Sequence, residues 1–335
     1  MTSTPKRIEE ESLSRYKSSN YYPVILGDVI GGQYVVKAKL GFGGHSTTWL
    51  CTDERQNFKV LKVLTAESGG SREAKVFAHI RSQASDSQNV GKYCVRRPEH
   101  MFVTESKGNK HQCFIFAPLG PNLLEFVSNH IKPDNIQMTI SGNEDETLRK
   151  LFAAEQENPS TAKITADGSP IYESRKMMQD DLGFPILCDL GSAVIGERSR
   201  TGTVQALPYR APEVLLGAAW DTKIDIWSLG VLIWELTLGE RLFGQGNEVD
   251  TVGLMVQYLG TPPPSLLSRC SRRSEYFDAK GHWRYEPSAR VRLEDRVDVT
   301  TDLPLFFDML YNMLKWDPGE RLPASQLLKH PWLQV

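Results

Sequence analysis

Several stretches of the chain combine glycine, lysine and acidic residues in ways suited to handling phosphate and a hard cation. In LGFGGHSTTWL, Gly41, Gly43 and Gly44 fall in a turn between two strand-like runs. Glycines there let backbone N–H groups approach phosphate oxygens, although a Gly-rich hairpin by itself is usually only a turn. Lys62 closes a third strand-like run and could reach the same phosphates, or be a snorkelling lysine. Glu73, on the following helix, is either the ion-pair partner that holds Lys62 or a solvated helix residue. The apolar run FPILCDLGSAV ends in Asp189-Leu190-Gly191, where a carboxylate beside a flexible glycine could hold Mg²⁺ through oxygen. A plain Asp-Gly type turn is the alternative. In HIKPDNI, Lys132 and Asn135 have the spacing of a loop that contacts a transferring phosphate and a metal. YRAPEVLLG, WDTKIDIWSLGVLIWEL and WDPGER follow in that order, a combination hard to obtain by chance.

The elements that must position these groups can be read from periodicity. QYVVKAKL, STTWLCTD and NFKVLKVL, between 33 and 63, predict three strands in an antiparallel meander. SREAKVFAHIRSQ places Ala74, Phe77 and Ala78 at helical spacing. HQCFIFAPLG reads as a buried strand entering a Pro/Gly connector. From about 205 onward the signals are helical: KIDIWSLGVLIWELTLG, VDTVGLMVQYLG, LPLFFDMLYNMLKW and a closing PASQLLKHPWL. Residues 1–20 are polar and aperiodic and predict a mobile arm. The polar stretch 141–181 reads as an insertion with one short helical piece, ETLRKLFAAEQ.

With 335 residues, 40% apolar and 24% charged, the chain can build a substantial core. A net charge of −2 gives no electrostatic case for nucleic acid or an anionic membrane. Cys51, Cys94, Cys113, Cys188 and Cys270 are widely spaced without a CxxC pair, which predicts reduced thiols inside a cell. The first 20 residues lack the apolar core of a signal peptide, and no later run reaches about 18 uninterrupted apolar residues.

Taken in order, these motifs resemble the eukaryotic protein kinases from about Gln33 to the closing HPWL. LGFGGHSTTWL, FAPLGPNLLEFV, IKPDNI, CDLG and YRAPEVLLG look most like the SR-protein kinases, especially their fungal relatives, as does the insertion before CDLG. The resemblance implies a two-lobed α+β fold, with a small antiparallel-sheet lobe over 33–119 and a mainly helical lobe over 120–335. It implies ATP and Mg²⁺ as cofactors, with Leu40, Gly41, Gly43, Lys62 and Glu73 around the nucleotide and the backbone of Ala117 to Leu119 on adenine. Phe116 would stand at the gatekeeper position, Lys132 would neutralise phosphate charge, and Asn135 and Asp189 would hold the metal. Glu213 with Arg321 matches a buried pair that braces the helical lobe, and Asp225 a helix aspartate that supports the catalytic loop. The implied reaction is γ-phosphoryl transfer to serine or threonine, with arginine/serine-rich splicing factors as protein partners. A monomer in cytoplasm and/or nucleus is expected, with no nucleic-acid or membrane partner. Glu248 and Asp250 could form an acidic docking surface, or simply start a helix whose dipole favours them.

The resemblance breaks at one place. The family's loop carries His-x-Asp before Ile-Lys-Pro, and that aspartate accepts the substrate hydroxyl's proton. Here Ser128, Asn129 and His130 precede Ile131, so His130 occupies the aspartate's slot. Only Gly120 to His130 separate the hinge-like Leu119 from Ile131. At about 1.5 Å of rise per residue that span cannot supply the two helices a kinase places there. The helical lobe is thus expected to lack a central helix. Three readings follow: a phosphotransferase, an ATP-binding module without turnover, or a product of a gene whose longer form is active.

Overall fold

The computed structural model describes residues 6–66, 71–84, 90–123, 135–177, 183–196, 199–244, 246–286, 289–297 and 303–334. These form two compact units, one from the described residues up to 123 together with 135–195, the other from 196 onward.

The first unit is organised by a six-stranded antiparallel sheet in the order β1-β2-β3-β4-β6-β5. Its strands are β1 Val29–Ile30, β2 Tyr34–Gly43, β3 Ser46–Thr52, β4 Phe58–Leu64, β5 His100–Ser106 and β6 Asn109–Phe116. The three-strand meander is therefore present, β2 pairing β3 and β3 pairing β4. Alternation sorts the side chains. Leu61, Val63, Cys113 and Ile115 join Trp49 and Cys51 in one core cluster, while Val60, Leu64, Phe114 and Phe116 pack with Phe77 of the helix Ser71–Ala84. Lys62 lies between Val60 and Leu64 on β4 and so shares that second face. The β2–β3 register shifts between Val36 and Ala38 and again between Lys39 and Gly41. Such bulges re-aim side chains. Lys39 ends with its ammonium over the Trp49 ring.

The buried Lys39 corrects the reading of residues 1–20 as a mobile arm. Its side chain is 0% exposed and lies 2.5 Å from Glu10 and 3.4 Å from Glu9. Both acids belong to the 3₁₀ turn Glu9–Ser12. Glu11 pairs with Lys163 at 2.5 Å, Glu9 accepts from Ser174, and the Tyr21 hydroxyl donates to the Gly43 carbonyl at 3.0 Å. A charge buried in a sheet requires a counter-charge, and the polar N-terminal segment supplies it. Residues 1–5 lie outside the described set.

Within the stretch read as a polar insertion, the helical piece at ETLRKLFAAEQ is present, and the described residues pack onto the sheet. The helix Glu144–Glu157 starts on Asn143, whose side chain accepts from the Glu146 N–H. It buries Leu148 and Leu151 against Ala38, Leu50 and Phe58. After it come a small hairpin, β8 Lys163–Ile164 with β9 Pro170–Ile171, and a strap in which the Arg175 N–H donates to the Lys39 carbonyl at 2.8 Å. Because this segment covers the sheet, the boundary expected at 119/120 is displaced: 135–195 group with the sheet. A ribbon of β7 Ile136–Met138 and β10 Pro185–Leu187 is fastened by the Leu187 N–H on the Cys94 carbonyl and the Arg96 N–H on the Leu187 carbonyl. Phe184 and Leu187, 79% and 45% exposed, leave apolar surface on it. The span in which a central helix is expected to be missing, with Lys132 and His130, falls in 124–134, outside the described residues.

The second unit is mainly helical, so the α+β class stands. Its centre is the helix Lys223–Leu238, which buries Trp227, Val231 and Trp234. Ile226 meets Met309 and Met313 of the helix Pro304–Met313. The approach is close at Gly230, where a Cβ would stand 3.1 Å from Leu314 and Met313. Gly239, at φ +72, ends the helix in the left-handed conformation. Glu213 and Arg321, both 0% exposed, form a two-pronged pair at 2.7 Å and 2.7 Å, with the guanidinium over Trp227. None of the described helices is long and apolar enough to cross a membrane.

Candidate functional site

A cleft of about 530 Å³ lies within the first unit, and Lys62 is among its lining residues. Strand β4 presents the lysine, and the first turn of Ser71–Ala84 presents Glu73 to it. The ammonium sits 2.9 Å from Glu73 Oε1 and 3.2 Å from Oε2, and 3.2 Å from Asp189 Oδ1. Glu73 is 5% exposed whereas Asp189 is 60% exposed. Glu73 thus fixes the lysine, and the Asp189 carboxylate remains open to solvent. Asp189 adopts φ +54 just after β10, a left-handed conformation that costs free energy in a non-glycine residue and often marks a functional site. Gly191 lies next to both acids: a Cβ there would be in ordinary contact with Asp189 at 3.4 Å and Glu73 at 3.7 Å.

Of the residues expected from the sequence, Leu40, Gly41, Gly43, Lys62, Glu73, Phe116, Leu119, Asn135 and Asp189 all line this one cleft. Ala117 takes a neighbouring position, its carbonyl accepting from Arg96 Nη2 at 3.3 Å. The Asn135 carbonyl accepts from the Cys188 N–H at 2.6 Å, which ties Asn135 to the segment carrying Asp189. Among the described residues no group of three or more His, Cys, Asp or Glu is placed to hold a metal ion. One carboxylate, one amide oxygen and the oxygens of a bound phosphate nevertheless suit Mg²⁺, which is usually held by one or two carboxylates and substrate phosphates. The donor set of Asp189 and Asn135 fits that mode.

Sequence reasoning missed several lining residues, among them Arg96, Cys188, Lys176 and Met177. Arg96 lays its guanidinium over the Phe116 ring at 4.5 Å and donates to Gln137 Oε1 at 2.9 Å. Burial lowers its pKa below the usual arginine value. Nothing in CVRRPEH marks this arginine from its neighbour, so no sequence signal could have found it. Cys188, its thiol pushed up by burial, lines the cleft beside Asp189. Lys176 and Met177 come from the strap after β9.

In the second unit the two acids offered as a docking surface are internally engaged. Glu248 takes Arg210 at 2.7 Å on one oxygen and Arg272 at 2.8 Å with the Tyr276 hydroxyl on the other. These arginine contacts hold its carboxyl below the usual range against the opposing effect of burial. Asp250 accepts from the Asn247 N–H in a capping box. The helix-start reading describes Asp250, and Glu248 is an internal bracket. Burial raises the Asp225 carboxyl.

Comparison with known proteins fits this geometry. Residues 177–333 match the family model described as protein kinase domain. A serine/threonine protein kinase of Aspergillus fumigatus is 31% identical, covering 98% of this chain and 91% of the relative. The serine/threonine-protein kinase SRPK of Physarum polycephalum is 28% identical over 97% and 91%. In both cases the aligned span, 362 and 395 positions, exceeds the 335 residues of this chain, so each relative has residues without a counterpart here. The crystal structure of a kinase domain superposes with a TM-score of 0.69 at 21% identity, covering 94% of this chain and 99% of that one.

Proposed function

The chain belongs to the serine/threonine protein kinases, and on that premise we propose that it binds Mg-ATP in the Lys62 cleft and transfers the γ-phosphoryl to serine or threonine. The carrying observation is the fixed Lys62–Glu73 pair with the exposed Asp189 carboxylate beside it. Lys62 would hold phosphate oxygens, its position set by Glu73, while N–H groups at the glycine-rich end of β2, where Gly41 and Gly43 pair with β3 rather than forming the turn expected from the sequence, approach the same phosphates. Bound at Asp189 and Asn135, Mg²⁺ would supply neutralisation of phosphate charge. Leu40 and Leu119 would enclose the base, and Phe116 would limit the depth of its pocket. Substrate serines in arginine/serine-rich segments, and hence a cytoplasmic or nuclear setting, rest on the resemblance of the motifs to SR-protein kinases.

A second reading, ATP binding without turnover, is favoured by one observation: no carboxylate precedes Ile131, where Ser128, Asn129 and His130 stand. General base catalysis contributes about 10²–10⁴-fold, so its loss slows transfer without weakening nucleotide binding. The test is labelled-phosphate transfer from Mg-ATP to an arginine/serine peptide by the wild type and His130→Asp. We expect slow transfer by the wild type and about a hundredfold gain in the variant. Saturable ATP binding with no transfer by either protein would leave the non-catalytic reading standing alone.

A further inference from the structure

The strap after β9 is held from several sides. Tyr172 accepts from Lys39 Nζ at 3.0 Å, the Ser174 N–H donates to Glu9 at 3.0 Å, and the Arg175 N–H donates to the Lys39 carbonyl at 2.8 Å. Arg175 also pairs with Glu155 at 2.5 Å, and Met177 packs beside Leu40 in the cluster under the helix Glu144–Glu157. Lys39 is one residue before Leu40 and two before Gly41, so the strap runs beside the glycine-rich end of β2. Position 176 is thereby fixed between two anchored neighbours, and Lys176 lines the cleft.

The charges of the cleft distinguish this lysine. Lys62 is answered by Glu73 and Asp189 and Arg175 by Glu155, while the buried Arg96 is held against the Phe116 ring by bonds to Gln137 and the Ala117 carbonyl, with its Nε left without a partner among the described residues. Lys176 is exposed and has no ion-pair or hydrogen-bond partner among the described residues. A triphosphate entering the cleft meets a lysine already answered by two carboxylates, whereas Lys176 is an exposed lining cation with no ion-pair partner among the described residues.

We propose that Lys176 is a further phosphate-binding residue of this site, a second cation beside Lys62 brought in by the strap. The proposal rests on the ATP-binding reading and deepens it. Its backbone is held in advance, so binding orders only the lysine side chain.

The test uses the full chain and calorimetric titration with ATP, ADP and adenosine. Lys176→Ala should lose about tenfold in affinity for ATP, the size of a contact between charged groups. It should keep the wild-type affinity for adenosine, and Lys176→Arg should bind ATP as the wild type does. Because the side chain is exposed, circular dichroism should show an unchanged fold. Equal ATP affinity in Lys176→Ala and the wild type, with Lys62→Ala defective, overturns this inference alone. Tighter ATP binding by Lys176→Ala would also overturn it and make the strap an obstruction. A wild type that binds no ATP removes both this inference and the reading beneath it.

Discussion

Replacing Glu10 with alanine tests whether the N-terminal segment is a structural part of the first unit. Lys39 is fully buried, and its ammonium is answered by Glu10 at 2.5 Å, by Glu9 at 3.4 Å and by the Tyr172 carbonyl at 3.0 Å. Two rings add to its environment, Phe42 at 5.5 Å and Trp49 at 5.9 Å. Removing the nearer carboxylate leaves a buried cation with only a longer ion pair, a change that costs about 3–5 kcal/mol in buried pairs. Glu9 remains to offset part of it, so the lower end, about 3 kcal/mol, is expected. For a unit of this size each kcal/mol corresponds to about 2–4 °C, which puts the shift near 6–12 °C. Differential scanning calorimetry of the full chain should show the loss. Glu10→Leu combined with Lys39→Met should recover much of it, since an apolar pair of similar volume removes the uncompensated charge. A shift below about 1 °C for Glu10→Ala would refute the reasoning and return residues 6–20 to the status of a loose arm.

Two further outcomes are expected. In the second unit, Glu213→Gln removes the counter-charge of a guanidinium that is 0% exposed and should cost about 3–5 kcal/mol. Calorimetry that finds the melting of the full chain unmoved would contradict a bracing role for the pair. Burial pushes Cys51 and Cys113 up to about 12 and Cys270 up to about 11, and raises Cys188, whereas Cys94 is exposed. The thiolate is the reactive form, so iodoacetamide at neutral pH should modify Cys94 first. Mass spectrometry showing Cys51 or Cys113 modified as fast in the native protein would contradict the packing of the sheet.

Much of the sheet is legible in the sequence because its strands obey simple periodicities, and the Lys62 cleft because the order of its motifs resembles that of the protein kinases. Strands β2, β3, β4 and β6 alternate or run apolar, and Lys62, Glu73 and Asp189 follow one another in a fixed order of motifs. Strand β5 escaped detection because HMFVTES is an edge strand, with a burial pattern that never reaches full burial. The N-terminal segment was misread for a different reason. What holds it is ion pairing to a lysine whose burial depends on bulges in β2, and no local pattern announces a bulge. The same holds for the strap. Lys176 and Met177 look like ordinary polar-loop residues until Arg175 is seen bonded to β2. Glu248 reads as a surface acid because its partners, Arg210 and Arg272, are far away in sequence. Conversely, Leu148, Leu151 and Phe152 carry the i, i+3, i+4 spacing of an amphipathic helix. That helix was legible, but not the sheet face it covers.

The most direct measurement is calorimetric titration of the full chain with ATP, with and without Mg²⁺, beside Lys62→Ala. Saturable one-site binding that needs Mg²⁺ and is lost in Lys62→Ala is the expected result. Lys62→Ala binding ATP as tightly as the wild type would contradict the nucleotide site built on Lys62, Glu73 and Asp189.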